Sequence, residues 1–88
     1  MTQTEVKTLP LPHMNRVLKD AEEYCNSLFE KEGDWLLNAP LDDLRAKLVE
    51  CFYVWMGGGG SESQELIHVI VFARVLAARL KGEESKDA

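Results

Sequence analysis

The chain has 88 residues and a mass of 10.0 kDa, enough to cover one hydrophobic core and too short for a second domain. With 45% apolar and 28% charged residues it has the balance of a globular chain, which excludes wholesale disorder. Its 15 Asp and Glu outweigh 10 Lys and Arg, for a net charge of -5, and this acidic balance excludes recognition of nucleic acid through clustered basic contacts to phosphate.

Met1 to Lys7 reads MTQTEVK, with an acid before the lysine and no apolar run behind it, which is not the pattern of a secretory signal. Residues 1–11 read as a flexible lead, and TLPLP from Thr8 to Pro12 favours extended backbone with Pro12 near a first helical turn. A first helix follows. Met14, Val17, Leu18, Ala21, Tyr24, Cys25, Leu28 and Phe29 recur at helical spacing, with charged residues filling the other face. Gly33 is the expected left-handed cap of this helix. Beyond it, Trp35, Leu36 and Leu37 stand together in DWLLN. Three large apolar groups in a connection need cover, so they are expected to plug the bundle from below or, alternatively, to dock a partner.

Pro40 opens the second helix, with Asp42 and Asp43 in the first turn, where the positive end of the helix dipole favours carboxylates. Leu41, Leu44, Leu48, Cys51, Phe52 and Trp55 form its stripe, widened by Val49 and Met56 beyond what one neighbour can bury. The run Gly57 to Gly60 ends it as a flexible link. This run lacks the lysine of a phosphate-binding loop and the spaced glycines of a dinucleotide motif.

Ser61 and Gln64 have the spacing of a capping box and place the start of the third helix. Its body from Leu66 to Leu80 is apolar nearly all round, the pattern of a central element. The segment LIHVIVF from Leu66 to Phe72 is also β-branched enough for a strand, but no second strand exists to take its hydrogen bonds. With His68, Arg74 and Arg79 interrupting it, the stretch falls short of the roughly 20 residues that span a bilayer. Gly82 is the expected cap, and residues 83–88 the expected flexible tail. A cytoplasmic protein is the expectation, with Cys25 and Cys51 as reduced core thiols that form no zinc-ligand spacing with His13 and His68.

These elements predict an all-α fold: a single three-helix domain over residues 12–82, helix three central, the bundle completed by dimerisation. Arg74 is the lone charge in the apolar arc of helix three, and Asp20 to Asp34 holds six acids and one lysine. An acid of helix one, Glu22, Glu23 or Glu30, is therefore its expected partner. The candidate interface comprises Trp35, Leu36, Leu37, Ile67, Ile70, Val71 and Arg74. The expected function is non-catalytic: a small acidic inhibitor, adaptor or regulator that self-associates and binds another protein, with no cofactor and no membrane.

A catalytic alternative rests on Glu50, Glu65 and His68, since Glu65 and His68 stand three positions apart on one helical edge, a spacing used for metal ligands in helical bundles. The segment ELIHVIVFARVLA from Glu65 to Ala77 resembles the third-helix motif of the MazG-like nucleotide pyrophosphohydrolases. That resemblance implies an all-helical oligomer holding magnesium through E-x-x-D on one helix and E-E-x-x-E on the previous one. Glu65 matches and Glu50 can match one glutamate. His68 replaces the aspartate, and Cys51 and Tyr53 take neighbouring motif positions, leaving at most two carboxylates for an ion that prefers hard oxygen ligands. The alternative is thus a degenerate relative with a weak metal site or none.

Overall fold

The computed structural model describes residues 11–86. Three helices make up the fold: α1 over Met14–Asn38, α2 over Leu41–Gly57 and α3 over Glu62–Lys86. Helix α3 packs against both others, which have little direct contact, so it is the central element that its nearly all-apolar sequence predicts. Leu66 to Phe72 is helical throughout. The strand alternative fails because burial on two sides accounts for its β-branched residues without a sheet.

Ile67, Val71, Phe72, Val75 and Leu76 of α3 form the core with Ala21 and Leu36 of α1, Ala39 of the junction and Leu44 of α2. Leu41, Leu48 and Cys51 press on it from α2, and Tyr24, Cys25 and Leu28 from α1. Both cysteines are free thiols at the core's edge.

Two expected helix ends are corrected. Gly33 does not cap α1; the helix kinks at Glu32 (φ -134°, ψ 30°) and runs on to Asn38. Burial of Leu36 favours continuing the turn more than a glycine favours stopping it. Gly82 likewise lies inside α3, which takes residues 83–86 out of the expected tail. Of the expected N-terminal lead, all but Leu11 lies outside the described residues.

The other signals hold. Pro40 precedes α2, and Asp42 and Asp43 occupy its first turn. Gly58 ends α2 in the left-handed region (φ 68°), its N–H donating to the Trp55 carbonyl. The Ser61 hydroxyl accepts from the Gln64 N–H at 3.4 Å, one half of the expected capping box. Among the described residues no helix is long and apolar enough to cross a membrane.

Candidate functional site

Arg79 organises one end of the molecule. Helix α1 has no basic residue in its last turn, so its final carbonyls need a donor from elsewhere. The half-buried Arg79 guanidinium supplies it, donating to the Leu36 carbonyl at 3.0 Å and the Ala39 carbonyl at 2.8 Å. This clamp fixes the kinked end of α1 across α3. Between them lies a groove of about 300 Å³ lined by Phe29, Leu36, Leu37, Val75, Ala78 and Arg79.

The expected plug is divided by helical geometry. Leu36 is 1% exposed and fills the core, but Trp35 is 37% exposed and Leu37 60%, because successive helical residues point about 100° apart. The rest of the expected interface divides too. Ile67 and Val71 are buried in the core of the single chain, whereas Ile70 and Arg74 are exposed. Arg74 meets the expected acid, Glu22, at 3.3 Å. Both side chains are more than half exposed, so this is a solvated surface pair and not a buried one.

A second concavity, about 190 Å³, lies where α2, α3 and the middle of α1 meet, and Glu50, Glu65 and His68 all line it with Tyr24, Lys47 and Cys51. The His68 ring stacks on Tyr24 with centroids 4.3 Å apart, and its Nε2 lies 3.4 Å from the Gln64 amide. Lys47 pairs with Glu50 at 3.3 Å. Glu65 Oε1 is buried without a hydrogen-bond partner, while Oε2 lies over Gly60, 2.7 Å from where a Cβ there would sit. Burial is the main reason that both the Cys51 thiol and the Tyr24 phenol titrate above their ordinary values. The nearby Cys51 thiolate raises Tyr24 further and Lys47 opposes both shifts. The residues of the catalytic alternative thus share a cleft, yet no three His, Cys, Asp or Glu among the described residues converge as a metal site. The magnesium implied by the resemblance does not fit this donor set, since one carboxylate is held by a lysine.

Sequence reasoning missed the clamp. Its signals were the lack of a cation in the last turn of α1 and a second arginine, Arg79, late in an apolar helix. No protein-family model matches the chain, and comparison with curated proteins and with solved structures likewise finds no match.

Proposed function

We propose that this is a small acidic, non-catalytic protein that acts by binding another protein, and that the groove between the C-terminal halves of α1 and α3 receives the partner's apolar anchor. The observation that supports this reading is the groove itself: apolar walls from both helices, a clamped and therefore preorganised shape, and Leu37 standing exposed in its wall. Glu30, Glu32 and Asp34 on the adjoining stretch of α1 suit a partner whose anchor is flanked by basic residues, as on an amphipathic helix.

Capture from the native cell extract on immobilised protein tests this, with Leu37→Asp as the comparison. The reading expects a polypeptide retained by the wild type and lost with Leu37→Asp while the fold persists. Equal retention by the two proteins contradicts it.

The catalytic alternative draws support from one observation, the meeting of Glu50, Glu65 and His68 in a single cleft. A melting temperature that rises with added magnesium and ceases to do so in Glu65→Gln favours that reading over the first.

A further inference from the structure

Helix α1 covers one side of the α2·α3 pair and leaves the opposite side bare. On α2 the flank turned from the Lys47–Glu50 cleft carries Val49, Phe52, Tyr53 and Met56, all exposed, with Tyr53 at 68% and Met56 at 63%. Their positions recur at three- and four-residue spacing, the seam by which one helix packs on another. By helical position, Ile70 and Ala73 of α3, also exposed, lie on the same side of the pair. Phe52 meets Tyr53 edge-on and Trp55 at a tilt, with ring centroids 6.4 and 5.4 Å apart, so the flank is an aromatic cluster of the type that anchors interfaces.

We infer that a second copy of this chain covers this face, the α2·α3 pairs of two protomers joining about a two-fold axis into a four-helix layer. This names one partner within the proposed protein-binding role and uses a surface separate from the groove. Three observations select a second copy. First, Val49, Phe52, Tyr53 and Met56 stay 43–68% exposed side by side, a contiguous apolar surface of the kind a monomer rarely leaves wet. Second, the radius of gyration is 15.3 Å and the extents are 42 × 41 × 22 Å, a plate two helices deep where a compact domain of this length measures about 12 Å in radius of gyration. Third, a protein of net charge -5 approaches its own copy most readily through a face of no net charge, and the charged residues at the N-terminal end of this seam, Asp42 and Arg45, pair with each other at 2.8 Å.

An isologous contact brings the middle of the seam of each copy together. Sedimentation equilibrium of the wild type, Phe52→Asp, Met56→Asp and Leu37→Asp is the test, with far-UV circular dichroism confirming that each is helical. The wild type and Leu37→Asp should sediment at twice 10.0 kDa, and both seam variants at the monomer mass. Phe52→Cys, in a chain with Cys25→Ser and Cys51→Ser, should oxidise to a covalent dimer, and this readout does not depend on the charged variants folding. A wild type at monomer mass at about 100 µM, well above the dissociation constants of standard interfaces, overturns the inference and leaves the groove reading standing. A dimer that survives both seam substitutions and fails to cross-link overturns the choice of face. A dimer abolished by Leu37→Asp alone overturns the separation of the two surfaces.

Discussion

Arg79 satisfies the end of one helix from the C-terminal half of another, and its planar fork reaches two carbonyls at once, which an ammonium on a flexible stem does poorly. Arg79→Lys should therefore destabilise the fold by about 1.5–3 kcal/mol, the range for hydrogen bonds to charged groups, as read by urea denaturation. The Arg74–Glu22 pair is the contrasting case. Both groups are solvated, so Arg74→Met should change stability by less than about 1 kcal/mol. Arg74 and its partner were legible in the sequence because charge is asymmetric between the first and third helices. Arg79 was not, because its acceptors are backbone carbonyls, which carry no side-chain signature.

Titration gives a further check at the same scale. The folded protein holds the Cys51 and Tyr24 protons more tightly than the unfolded chain does. Both groups are neutral in either state below their ordinary pKa values, so they add no pH dependence there. As pH rises past the ordinary thiol value, the unfolded chain releases its proton first and stability falls. Urea melts between about pH 8 and pH 10 should show this decline in the wild type and a shallower one in Cys51→Ala.

Among the elements, α1 diverges most from its sequence reading, and tertiary contacts are the reason. A glycine stops a helix only where the chain gains from a left-handed residue, and at Gly33 continuing lets Leu36 reach the core and Asn38 donate to the Asp34 carbonyl at 2.9 Å. At the end of α2 the residues that follow are glycines with no side chain to bury, and Gly58 takes the left-handed conformation. Leu36→Ala should consequently cost about 2–5 kcal/mol, whereas Trp35→Ala, at a half-exposed position, should cost clearly less. Thermal melts of the two variants decide the matter, and equal losses would contradict the helical placement of this segment. The starts of α2 and α3 were legible because Pro40 and Ser61 act locally. Their burial pattern was only partly so, since Phe52 belongs to the expected stripe of α2 and yet faces outward.

At the scale of the whole molecule, the order of the helices followed from composition: the element with no polar face lies between the two that have one. The groove did not follow, because it depends on where a kink directs Leu36 and Leu37, and neighbouring positions in a sequence do not encode a bend. The cleft of Glu50, Glu65 and His68 was anticipated as a set of residues but not as a place where a lysine and a tyrosine accompany them. What the three helices leave uncovered is as informative as what they bury, for the aromatic seam on one side of the plate is the face that the inferred second copy would cover. If a second copy completes it, unfolding is coupled to dissociation and mass action must raise the stability of the folded form with concentration. The most direct measurement is the melting temperature between about 1 µM and about 100 µM protein. A midpoint that climbs steadily across that range is the expected result, and one that stays constant contradicts the account.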